Sequence, residues 1–294
     1  MFKGSFTALV TPFRAGKNGT AGMVDEKKFA ELIEFQIKNG TDGIVPAGCT
    51  GEAATLTHKE QGRLVSLACE IVDKRVPVIG GAGSNNTEEA IMLTRFAKKA
   101  GCDAALSITP YYNKPTPEGQ YRHYAAIAKK VEIPIVVYNV PSRTGISIKP
   151  QTVARLSKID NIVAIKEASG SIDQTSEILS LCDITVLSGD DSLTLPMMAV
   201  GAKGVISVVS NIIPREVHDM VLGFLEGDFE RARQLHYRIL PLCKAMFIET
   251  NPIPIKTSMR LLRRLNGKLR LPLCEMQKEN EGKLRKSLKD YGLL

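Results

Sequence analysis

With 294 residues, 44% of them hydrophobic, the chain can bury a full core, and one large α/β barrel fits the length as well as two ordinary domains. The longest apolar runs fall well short of the roughly 20 residues that span a bilayer. The N-terminal residues lack the charged and apolar blocks of a signal peptide, so a soluble, cytoplasmic protein is expected. The net charge of +8 is local: residues 256–294 hold eleven Lys or Arg against four Asp or Glu and one aromatic, Tyr291, which predicts solvated helix faces and not a nucleic-acid stacking platform.

Short apolar runs recur along the chain: SFTALV from Ser5, DGIV from Asp42, VPVIG from Val76, AALSI from Ala104, PIVVY from Pro134, IVAIK from Ile162, ITVLS from Ile184 and GVISVV from Gly204. Amphipathic helical segments lie between them. In the first, Phe29, Leu32, Ile33 and Ile37 share one face behind Asp25, a candidate N-cap. Three of the helix-to-strand junctions, NG-TDG-IV, AG-CDA-AL and VG-AKG-VI, place Gly40, Gly101 and Gly201 where a helix ends in a left-handed cap. Eight such β-α units with near-continuous apolar strands predict a closed parallel (β/α)8 TIM barrel over residues 1–226, with a doubly wound open sheet as the alternative. Residues 227–294 read as a C-terminal helical extension packed on the barrel, with helices expected over 228–249, 252–265 and 276–290.

In such a barrel the residues just after each strand form the catalytic face. Here those segments are Thr11-Pro12, PAGCTGE (46–52), GGAGSNN (80–86), TPYYNKP (109–115), YNVPSRTG (138–145), KEASG (166–170), SGDD (188–191) and SVVSN (207–211). Lys166 follows a buried run directly. An unpaired ammonium there is unfavourable, so it is paired with a neighbour such as Glu167 or gives up its proton and serves as a nucleophile toward a carbonyl. Tyr138, on the adjacent strand, is placed to shuttle protons at an imine. Arg143 offers a two-point clamp for a carboxylate. Thr50 sits in a glycine-flanked turn expected to lead into a helix N-terminus, an anion-binding arrangement. Together these groups describe a site for a 2-oxo acid with a second carboxylate nearby, in which a covalent imine replaces any external cofactor. Six cysteines without C-x-x-C spacing, and four histidines none of which stands at ligand spacing to another, imply neither a disulfide framework nor a metal.

The chain also resembles the dihydrodipicolinate synthase family of the class I pyruvate-aldolase superfamily, end to end, through FKGSFTALVTPF, GCTGEAATL, PVIGGAGSNNTEEAI, TPYYNKPTPEGQYRHYAAIA, YNVPSRTG, IVAIKEASG, LSGDD, GVISVVSN and NPIPIK. The resemblance implies that Lys166 forms the Schiff base with pyruvate, Tyr138 gives and takes protons, Thr50 holds the pyruvate carboxylate, and Ile206 and Gly189 border the pyruvate. It implies L-aspartate 4-semialdehyde as the second substrate, its carboxylate on Arg143, and 4-hydroxy-tetrahydrodipicolinate as the product, a step toward lysine and diaminopimelate. It further implies that Tyr112 of one subunit completes the proton relay of its neighbour, in a dimer or a tetramer of two dimers.

The sequence departs from the family at one relay position, where Cys49 replaces a threonine or serine. A thiol donates weakly, so the relay is slower, bypassed by water or carried by a thiolate. Two alternatives stay open: a related aldolase acting on another aldehyde, such as an N-acetylneuraminate lyase, and a low-activity protein that binds 2-oxo acids. The family's feedback site for L-lysine is matched at Ala54, His58, Asn85, Glu89 and Tyr111. Ala53 and Gln61 stand where some lysine-sensitive members carry Ser and His, so weak inhibition is expected. His58 reads equally well as a helix-start histidine paired with an acid.

Overall fold

A computed structural model of the protein describes residues 2–17 and 20–294. Ten strands and twelve α-helices alternate along it: β1 Gly4–Ala8, β2 Phe13–Ala15, β3 Ala21–Val24, α1 Glu26–Lys38, β4 Gly43–Val45, α2 His58–Val72, β5 Ile79–Gly81, α3 Thr87–Ala100, β6 Ala104–Ile108, α4 Pro117–Lys130 and β7 Ile135–Asn139. Then follow α5 Pro141–Thr144, α6 Pro150–Leu156, β8 Ile162–Glu167, α7 Ile172–Leu181, β9 Thr185–Ser188, α8 Thr194–Ala199, β10 Gly204–Ser207, α9 Pro214–Leu225, α10 Phe229–Ala245, α11 Ile253–Leu261 and α12 Lys278–Tyr291.

Eight of the strands form one parallel sheet in the order β4-β1-β10-β9-β8-β7-β6-β5. A parallel bridge between Ile44 and Val78 joins its two ends, closing the expected barrel. The strands alternate faces with period two. Phe6, Val45, Ile79, Leu106, Val136, Ala164, Leu187 and Ile206 fill the interior, while a larger apolar cluster lies between the strands and the helices. The helices carry the expected signals. Asp25 caps α1 by accepting from the Lys28 N–H, Thr57 and Glu60 form a reciprocal capping box on α2, and Gly101 caps α3 at φ +88°. Gly40 and Gly201 also have positive φ, one residue beyond the caps of α1 and α8.

A short antiparallel hairpin, β2 with β3, was not expected; it has no alternating apolar pattern and only Phe13 is buried within it. The C-terminal helices are shorter than the periodicity suggested. The helix expected over 228–249 ends at Ala245, with Met246 as its cap, and the chain runs on through turns to the Asn251-Pro252 pair. The one expected over 252–265 ends at Leu261, short of Arg263 at φ +56°. The segment freed between α10 and α11 runs across the barrel mouth, while α10 packs on α9 and α12 packs on both α10 and α11. Much of the C-terminal basic excess is paired: Arg260 with Glu281, Arg270 with Glu60, and Lys286 with Asp290. Among the described residues no helix is long and apolar enough to cross a membrane.

Candidate active site

The site grows out of the strand register. Tyr138 of β7 pairs with Lys166 of β8, and Asn139 with Glu167. Because side chains alternate, the first pair points into the barrel and the second out toward the helices. Glu167 is therefore unavailable to Lys166: its carboxylate accepts from Asn139 Nδ2 at 2.9 Å, Gln174 Nε2 at 3.0 Å and the Ser169 N–H at 2.6 Å. The alternative in which Lys166 is paired with Glu167 fails for this geometric reason.

Lys166 is 5% exposed, and its Nζ lies 4.4 Å from the centroid of the Tyr138 ring. Burial lowers its pKa from 10.5 to about 8; the charge of Arg143 pushes the same way, and Asp191 opposes it. Gly189 makes room for it, since a Cβ there would sit 2.9 Å from Lys166 Cε and 2.6 Å from Ala168 Cβ. Asp191, two residues on, is anchored beneath by the N–H groups of Val208 and Val209 at 3.0 and 2.9 Å.

A second buried lysine supplies a control within the same molecule. Lys256 is fully buried, and burial lowers its pKa to about 8 as well. Its Nζ, however, lies 2.5 Å from Glu52 Oε1 and 4.3 Å from the Phe13 ring centroid. Lys256 is thus a structural ion pair, whereas Lys166 enters no ion pair among the described residues and faces a cavity of about 610 Å³. Geometry, not titration, separates the two.

Thr50, Tyr138, Arg143, Lys166 and Gly189 all line that cavity. Burial holds the Tyr138 phenol well above 10, so the hydroxyl keeps its proton, and the nearby Cys49 thiol reinforces this. Thr50 is buried on a turn that Thr11 fastens by donating to the Gly51 carbonyl at 2.6 Å. Gly81 lets the same turn approach, because a Cβ there would lie 2.0 Å from the Ala47 carbonyl oxygen. The helix N-terminus expected behind Thr50 is not there: a 3-10 turn over Ala53–Thr55 intervenes and α2 starts only at His58. Among the described residues the N–H groups of Thr50 and Gly51 meet no acceptor, so the turn itself supplies the anion-seeking donors.

Ile206 belongs to the barrel interior with Tyr138 and Leu187 and is fully buried; Val208, two residues further, reaches the cavity wall. Tyr112 stands apart at 89% exposed and φ +68°, outside the cavity lining. Tyr111, Asn85, Ser84, Glu89 and His58 form a separate group. His58 Nε2 lies 2.7 Å from Glu89 Oε1, Ser84 donates to the other Glu89 oxygen, and burial, with the charge of Glu89, raises the Tyr111 pKa. Ala54 lies on the exposed turn ahead of α2.

Sequence reasoning missed the C-terminal contribution. Asn251, in NPIPIK, donates from Nδ2 to Thr50 Oγ1 at 2.9 Å and accepts from Arg143 Nη2 on its backbone carbonyl at 2.8 Å. Its only signal was a place beside a proline-rich run at a helix start. Among the described residues no group of His, Cys, Asp and Glu is arranged to hold a metal ion.

A closed barrel whose mouth carries a buried lysine free of any carboxylate puts the protein among barrel enzymes of the class I aldolase type. The family model described as "Dihydrodipicolinate synthetase family" matches residues 1–291, and the chain belongs to that family. It is 56% identical over 297 residues to the 4-hydroxy-tetrahydrodipicolinate synthase of Syntrophobacter fumaroxidans, covering 100% of both chains. Among solved structures it is similar to the chloride-inhibited dihydrodipicolinate synthase of Acinetobacter baumannii complexed with pyruvate, with TM-score 0.96, 40% identity and 100% of both chains covered. It is also similar to the enzyme of Cyanidioschyzon merolae with lysine bound, with TM-score 0.95, 40% identity, and 100% of this chain and 99% of that one covered.

Proposed function

We propose that the chain condenses pyruvate with L-aspartate 4-semialdehyde to 4-hydroxy-tetrahydrodipicolinate, on the route to lysine and diaminopimelate, through an imine on Lys166 and without an external cofactor. The observation that carries the reading is the unpaired Lys166 amine, lowered to about 8 by burial, stacked against Tyr138 at the edge of an open cavity. The neutral amine attacks the ketone of pyruvate, water leaves, and the imine draws electrons so that a methyl proton can be removed. The resulting enamine attacks the aldehyde carbon of the second substrate. That substrate's amine then displaces Lys166 from the imine carbon, closing the ring and restoring the enzyme. Tyr138 carries the protons, with Cys49 beside it. Thr50 and the turn N–H groups hold the pyruvate carboxylate, Arg143 holds the second one, Gly189 leaves the lysine its space, and Ile206 forms the floor.

The exposed Tyr112 fits a residue that completes the relay of a second copy, in a dimer or a pair of dimers. The His58–Glu89 pair with Ala54, Asn85 and Tyr111 fits a regulatory site for L-lysine, and a solved relative holds lysine. Residues 227–294 act as a helical domain packed on the barrel, and the enzyme works in the cytoplasm. A coupled steady-state assay tests the reading: turnover with pyruvate and aspartate semialdehyde, slowed by millimolar lysine, is expected. Turnover of N-acetylneuraminate in its place would refute it.

A further inference from the structure

Asn251 comes from the C-terminal segment, 201 residues beyond Thr50, yet the residue is only 5% exposed and lies in the wall of the cavity. The contact with Thr50 has a direction. Asn251 Nδ2 donates and Thr50 Oγ1 accepts at 2.9 Å. A hydroxyl has one proton to give, and among the described residues the Thr50 proton meets no acceptor. With one lone pair occupied from the amide side, the O–H bond is directed into the cavity. The Asn251 backbone carbonyl meanwhile accepts from Arg143 Nη2, so one residue touches both groups that await carboxylates.

We propose that Asn251 is a positioning residue: its amide fixes the polarity of the Thr50 hydroxyl so that the hydroxyl presents its proton, not its lone pair, to the carboxylate of the keto acid. The inference rests on the reading of Thr50 given above. Two further observations support it. Asn251 Oδ1 is buried and has no donor among the described residues, an unpaired acceptor in the cavity wall that packing alone does not account for. Five residues on, the buried Lys256–Glu52 pair ties α11 to the same turn that carries Thr50, which holds the amide in register with the hydroxyl.

The test compares Asn251→Asp with Asn251→Ala. Aspartate keeps the shape but is an acceptor only, so the Thr50 hydroxyl donates its hydrogen bond to it and turns its lone pairs toward the substrate. Alanine leaves the hydroxyl free to rotate. Half-saturation by pyruvate is measured without the aldehyde, as the borohydride-trapped adduct on each protein by mass spectrometry, alongside thermal melts. The expected result is an increase of about tenfold to a hundredfold for aspartate, the loss that accompanies one hydrogen bond to a charged group. Alanine is expected to raise it about threefold to tenfold on the same scale. An increase for alanine equal to or larger than for aspartate indicates packing alone and overturns the proposal. If the aspartate variant does not fold, the alanine variant decides, and unchanged half-saturation overturns the proposal. A wild-type protein that pyruvate and borohydride do not label overturns the reading of the site itself, and the proposal with it.

Discussion

Replacing Lys166 by Met should make the protein more stable while abolishing its activity. The side chain is buried and has no carboxylate partner, so at neutral pH the folded state carries an ammonium group that the unfolded state solvates freely. The fall from 10.5 to about 8 corresponds to about 3 kcal/mol at roughly 1.4 kcal/mol per pH unit. The sign follows from proton counting. Below about pH 8 both states bind the proton and the full unfavourable contribution is present. Between there and 10.5 the unfolded chain holds the proton and the folded one does not, so wild-type stability rises with pH. Methionine, of similar length and apolar, removes the charge without opening a cavity. Urea denaturation at a series of pH values should therefore show the variant about 3 kcal/mol more stable at pH 7, with the gain shrinking above pH 8 and gone by about 10.5. A variant less stable than wild type at pH 7, or a gain that does not vary with pH, would refute the claim that this ammonium is buried unpaired.

Lys256→Met should behave in the opposite way: it strands Glu52 in the interior, and denaturation should show a loss of about 3–5 kcal/mol. Gly189→Ala should lower kcat about a hundredfold, because the new methyl group displaces the lysine amine by a large fraction of an ångström, and stability should fall by about 1–3 kcal/mol. Unchanged turnover would contradict the assigned contact. Arg143→Lys should raise KM for the aldehyde about tenfold to a hundredfold while leaving pyruvate trapping near wild type, since only the second carboxylate loses its planar fork. The pH profile of kcat/KM should rise toward about 8 as Lys166 loses its proton in the free enzyme.

The barrel was legible because parallel strands buried on both faces must be written as continuous apolar runs, and the left-handed caps at Gly40, Gly101 and Gly201 punctuate them. Lys166 and Tyr138 were legible for the same reason, since a strand end fixes both depth and face. What escaped notice is non-local. The β2–β3 hairpin buries too little to leave a pattern. No periodicity announces that Asn251 and Lys256 reach residues about two hundred positions away, or that Cys69 and Cys102 approach to 3.5 Å. The turn after Gly51 is not a helix start: Glu52 takes a positive φ, and the Thr57–Glu60 capping box, itself written in the sequence, sets the start of α2 at His58.

The most direct measurement is peptide mapping after pyruvate and borohydride. The account predicts that the reduced adduct falls on Lys166 and not on Lys256, although burial lowers both to about 8. A label on Lys256, on surface lysines alone, or nowhere would contradict it.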